Sequence, residues 1–133
     1  MNPKYRKMPR GDILEKVSIA NKLSLFSEHW SPKIIGEVDD YEIKLVKVQG
    51  DFVWHKHEDA DELFLVVKGT LDMDFRDRRE VLEAGELIVV PKGVEHKPHA
   101  TEECQILLLE RKGLVNTGDA EKSALTSDVT ERI

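Results

Sequence analysis

The sequence predicts an all-β fold, a sandwich or barrel, from three observations. Short segments alternate apolar and polar residues with period two, as at Tyr41, Glu42, Ile43, Lys44, Leu45 and again at Leu71, Asp72, Met73, Asp74, Phe75. Charged or glycine-bearing turns separate such segments at close spacing, and three more runs, 63–67, 87–90 and 106–109, are apolar at every position. With 133 residues, 40% of them hydrophobic, the chain is long enough to bury one core without disulfides, so a single domain over 1–133 is expected. The core is placed at about 33–112, between a short N-terminal helix at about 12–27 and a polar tail at 113–133.

The first residues carry a basic cluster, Lys4, Arg6, Lys7 and Arg10, without interleaved aromatics, which reads as a solvated terminus and not as a nucleic-acid arm. Asp12 is placed to cap the helix, and Val17, Ile19, Leu23 and Phe26 form an apolar stripe that would pack on the barrel. Glu28-His29-Trp30-Ser31-Pro32 breaks the pattern, and His29 is expected as a surface or hydrogen-bonded side chain. Residues 33–38 and 41–48, joined by Asp39-Asp40, read as a hairpin. Strands follow at 63–67, at 71–75 and 81–82 around a charged turn at 76–79, and at 87–90 and 106–109. The tail from Gly113 is polar. It is expected to fray or drape over a neighbour, with Leu114 and Val115 as docking points.

A strand apolar at every position must be covered on both faces, and a small barrel has only one interior. A second copy of the chain is the expected cover, giving a homodimer; the alternative cover is the N-terminal helix with the C-terminal segment. The balance of 20 Lys plus Arg against 26 Asp plus Glu gives a formal charge of -6, which repels nucleic acid and anionic membrane. No apolar stretch reaches the length of a signal peptide or a membrane span, and the single cysteine, Cys104, fits a reducing compartment. A soluble, cytoplasmic protein is expected, with neither nucleic acid nor membrane as a partner.

The chemistry concentrates in two stretches. In 50–69, GDFVWHKHEDADELFLVVKG, His55 and His57 stand two residues apart, so on an extended strand both imidazoles point one way. Glu62 opens the apolar run that follows, where an unpaired carboxylate would be costly and a metal would offset its desolvation. In 85–100, GELIVVPKGVEHKPHA, His96 follows a Pro-x-Gly turn. Three neutral imidazoles and one carboxylate suit a borderline divalent ion, Zn, Fe, Mn or Ni, better than Ca or Mg. Glu58, Asp59 and Asp61 read as solvated, His99 as facing away from His96, and Cys104 as a small core residue.

His55-Lys56-His57, then four residues and Glu62, then six residues and Gly69, resembles the first motif of the cupin superfamily. Gly85, five residues, Pro91-Lys92-Gly93, two residues and His96 resembles the second, with fifteen residues between the motifs. Residues 26–35 and 115–119 are also similar to stand-alone small cupins. The resemblance implies a double-stranded β-helix, or jelly-roll, barrel around a metal ligated by His55, His57, Glu62 and His96. Two departures touch none of these ligands: four residues lie between Gly50 and His55 instead of the usual five, and Ala100 stands where the family often carries Asn.

Four protein ligands leave one or two positions open on an octahedral ion. The implied function is a metal-dependent enzyme of oxygenase or isomerase type acting on a small organic molecule; the alternative is a non-catalytic module that binds or senses a small ligand. Glu62 weighs against the thiol dioxygenases, which tend to lack the carboxylate. Val53, Met73 and Phe75, if they face inward, would give an apolar pocket, and Arg76, Arg78 and Arg79 could meet an anionic group.

Overall fold

The structure is a computed structural model and describes residues 14–127 and 129–133. The basic cluster and the expected Asp12 cap lie outside the described residues. The helix, α1, spans Ile19–Leu23 and is far shorter than the stripe suggested. Ser18 caps it, its side chain accepting from the Asn21 amide at 3.2 Å, and the Ser24 hydroxyl donates to the Asn21 carbonyl at 2.6 Å at the other end. Hydroxyls that bond the backbone on both sides limit the helix to little more than one turn. Among the described residues no helix is long and apolar enough to cross a membrane.

Among the described residues eight strands follow: β1 Lys33–Val38, β2 Tyr41–Asp51, β3 Glu62–Lys68, β4 Thr70–Asp74, β5 Arg79–Glu83, β6 Leu87–Val90, β7 Lys97–Arg111 and β8 Glu131–Arg132. The long strand β7 organises the rest. Its one edge pairs with β2 from Tyr41↔Arg111 to Asp51↔His99, and its other edge pairs with β4 at Asp72↔His99 and then with β3 at Leu63↔Leu109. The main path runs β5-β4-β7-β2-β1-β8 with β6 on the free edge of β3, and the ladder does not close into a ring. All pairs are antiparallel except β1 with β8. At Gly69 (φ +95) the β3–β4 turn passes so close to β7 that a Cβ would lie 2.9 Å from the Glu103 carbonyl oxygen, so only glycine fits.

The interior is built from alternate residues, among them Val46, Val48, Phe64, Val66, Leu71, Met73, Leu82 and Ile106. Its parity in β2 differs from what local hydrophobicity suggests. Glu42 and Lys44 share the inner face with Val46 and Val48, whereas Ile43 and Leu45 point outward. The charges are tolerated inside because they pair: Lys44 Nζ lies 2.8 Å from Glu110 Oε1 and 3.6 Å from Glu42 Oε1.

The outer face is covered only in part. Leu23 and Phe26 close over Leu45, with Val67, Leu107 and Ile133 against them. The described part of the polar tail is bonded to the rest of the chain: Ile133 N donates to the Ile34 carbonyl, Lys22 Nζ donates to the Ile133 carbonyl, and Thr117 is 1% exposed. Beyond this cover, the cross-strand row Val89–Leu63–Leu109–Ile43 lies on the same outer surface, and Val81, Leu87 and Val89 are 54%, 57% and 50% exposed.

Candidate metal centre

His55 and His57 sit on the connection between β2 and β3, which lacks a regular ladder and is held by specific hydrogen bonds. His55 N donates to the His96 carbonyl at 3.0 Å, His96 N donates back to the His55 carbonyl at 2.9 Å, and Gly93 N donates to the His57 carbonyl at 2.8 Å. The second motif is thereby bound to the first, and Glu62, at the start of β3, reaches the same point. All four side chains are buried, and one ligand atom from each lies within 4.8 Å of the others.

The tautomers follow from the partners. His55 Nδ1 lies 2.9 Å from the Val53 carbonyl and His96 Nδ1 lies 2.9 Å from the Val94 carbonyl. A carbonyl only accepts, so each Nδ1 carries a hydrogen and Nε2 is the nitrogen left for a further partner. Burial, reinforced by the nearby His96, lowers the His55 imidazole to about 4, so it is neutral at pH 7.

Among the described residues four buried side-chain atoms have no hydrogen-bond partner, His57 Nε2, His96 Nε2, Glu62 Oε1 and Glu110 Oε2, and the first three converge. Glu62 Oε1 is 3.5 Å from His57 Nε2 and 3.4 Å from His96 Nε2. Unsatisfied buried groups cost about 1–3 kcal/mol each, so three converging on one point mark a specific demand for a shared partner there. A divalent cation is the single addition that satisfies all of them. The donor set of three imidazoles and a carboxylate fits a transition ion.

Behind Glu62 lies a feature the sequence reading missed. Across the sheet, Glu62 pairs with Glu110, which in turn pairs with Glu42. Burial and the charge of Glu62 push Glu110 well up, with Lys44 only partly offsetting them. Burial would also raise Glu62, but the Glu110 carboxyl and the imidazoles of His57 and His96 reverse this and hold it well down. Of the two carboxyls it is Glu62, facing the imidazoles, whose charged form the surroundings favour. The available signal was parity: Glu110 falls in step with Ile106 and Leu108, both core residues.

Beside the cluster is a cavity of about 40 Å³, walled by Trp30, Phe52, Phe64 and Leu108 and carrying His55, Glu62, Glu110 and Asn116 as its polar groups. Trp30 stacks on Phe52 with centroids 4.6 Å apart, and Phe52 meets His55 edge-on at 5.3 Å. The expected wall residues lie elsewhere: Met73 is in the core, and Phe75 lines a groove of about 490 Å³ with Arg76 and Arg78. That groove is larger but holds none of the ligating side chains. Its arginines are engaged, Arg76 with Glu95 and Arg78 with Glu80, and Arg79 binds Asp74. His99 bonds Asp51, and His29 bonds Glu103, both outside the centre as expected.

The cupin domain family matches residues 43–110, a span that begins within β2, ends at Glu110 and contains all four clustered side chains. This chain belongs to the cupin family. Among similar proteins, the uncharacterized protein YdbB of Bacillus subtilis (strain 168) is 35% identical over 97 residues, which are 72% of this chain and 83% of that protein. A cupin-2 domain containing protein from Shewanella frigidimarina is 55% identical with a TM-score of 0.72, over 72% of this cupin and 94% of that chain. Protein NMB1881 from Neisseria meningitidis is 33% identical with a TM-score of 0.68, over 74% of this cupin and all (100%) of that chain. The architecture is accordingly the all-β jelly roll, with the short helix a minor addition.

Proposed function

We propose that this cupin holds a divalent transition-metal ion, Zn, Fe, Mn or Ni, on His55, His57, Glu62 and His96 and acts on a small organic molecule admitted to the adjoining cavity. The observation that carries the reading is the convergence of three partnerless buried atoms, on His57, His96 and Glu62, beside the equally buried His55. A bound ion would supply Lewis-acid or redox chemistry according to its identity, in keeping with an enzyme of oxygenase or isomerase type. Trp30 and Phe52 exclude bulk water from the His55 side, and the Glu110 carboxyl lines the cavity as a polar neighbour of the guest. The apolar walls favour an uncharged or weakly charged guest.

The non-catalytic alternative, a module that binds or senses a small ligand, draws support from the cavity volume of about 40 Å³, which is room for a few water molecules. Purification without oxygen or chelators, metal identification, and oxygen uptake and turnover with small diketones, acids and carbohydrates separate the two. Metal-dependent consumption of any of them supports the enzyme; saturable binding without consumption supports the module.

We further propose that the cupin works as a homodimer joined through the outer faces of β3, β6 and β7. Support comes from the row Val89–Leu63–Leu109–Ile43 and from the neighbouring exposed Leu87 and Val81, which α1 and Ile133 do not reach.

A further inference from the structure

The connection that carries His55 and His57 is bonded on one side only by the second motif, because His55 and His57 spend their backbone groups on His96 and Gly93. The intervening peptide of Lys56 faces the opposite way, as alternation in extended chain requires. It meets the C-terminal segment. Lys56 N donates to Asp119 Oδ1 at 2.8 Å, and Asp119 N donates to the Lys56 carbonyl at 3.2 Å.

The approach is as close as a backbone permits. A Cβ on Gly118 (φ +54) would stand 2.3 Å from the Lys56 carbonyl oxygen and 3.2 Å from Cδ2 of the His55 ring. The segment is itself anchored before it arrives. Asn116 Nδ2 donates to the carbonyls of Trp30 at 3.1 Å and Leu125 at 2.8 Å, its Oδ1 accepts from Ser127 N at 2.7 Å, and Thr117 is 1% exposed. Through Trp30, a non-glycine residue with φ 59, the same segment fixes a wall of the cavity. The match to the cupin family ends at residue 110, so these contacts come from outside the matched domain.

We propose that residues 116–119 are a clamp on the metal-binding connection, with Asp119 a positioning residue whose bond to Lys56 sets how tightly the His55/His57 pair holds a metal. The inference rests on the metal reading above. Outer hydrogen bonds that orient ligating residues alter metal affinity by about 10–100-fold when removed, and the exposed position of Asp119 places it at the lower end.

The test is Zn²⁺ affinity by chelator competition on the full chain, with thermal midpoints of the metal-free proteins alongside. Asp119→Ala is expected to bind about tenfold more weakly. Asp119→Asn, which keeps an accepting oxygen, should stay near the parent, and Glu121→Ala, an exposed tail substitution, should match it. Metal-free midpoints should stay together. Parent-like affinity in Asp119→Ala, or equal loss in Asp119→Ala and Asp119→Asn, overturns the clamp. Should Asp119→Ala not fold, hydrogen exchange on the unsubstituted chain decides: Zn²⁺ slows exchange at the Lys56 and Asp119 amides if the clamp is right, and leaves it unchanged if it is wrong. No Zn²⁺ binding by the unsubstituted chain sinks the metal reading and the clamp with it.

Discussion

Lys44 and Glu110 form an ion pair inside the sheet, Nζ to Oε1 2.8 Å, with both side chains 2% exposed. Such a pair contributes little net stability relative to apolar residues, but its disruption strands a charge. Lys44→Met should destabilise the metal-free protein by roughly 3–5 kcal/mol in urea unfolding. The double substitution Lys44→Met with Glu110→Leu should recover most of that loss. Equal losses in single and double variants would mean that the pair is not the source of the cost.

Cys104 is fully buried, and desolvation raises its thiol from 9.0 to about 11. The thiolate is the reactive species, so at pH 8 its population falls about a hundredfold below that of an unshifted thiol. Alkylation should therefore be negligible in the native protein and rapid after denaturation. The sign for stability follows. The unfolded chain ionises first, so this group's contribution, present below pH 9.0, diminishes as pH rises toward 11.

The proposed dimer is tested by mass in solution. Light scattering should give about twice 15.2 kDa for the parent. Val89→Glu, which puts a charge into the exposed outer row, should give the monomer mass with unchanged circular dichroism. A parent that remains monomeric at micromolar concentration would assign the row another role.

Several parts of this arrangement were legible in the sequence for identifiable reasons. The β1–β2 hairpin was, because Asp39-Asp40 interrupts a period-two pattern and Asp39 adopts the left-handed conformation (φ 51) such turns require. The four clustered residues were, because their spacing is local to two motifs. The helix was overextended: apolar residues recur at helical spacing through Phe26, but Ser18 and Ser24 divert the backbone at both ends. The inner face of β2 was hidden, since Glu42 and Lys44 are made acceptable inside only by Glu110, a partner far along the chain. Trp30, Phe52 and Asn116 escaped for the same reason. Each reaches the cavity through a long-range contact that carries no local periodicity.

The central claim is that His55, His57, Glu62 and His96 bind one ion together. Its most direct test is Zn²⁺ titration of chelator-treated protein, with metal content determined after dialysis, for the parent, His57→Ala and His96→Ala. The account predicts about one ion per chain in the parent and affinity lower by about a hundredfold or more in each variant, with both variants still folded. Parent-like binding in either variant, or a parent that retains no metal, would contradict it.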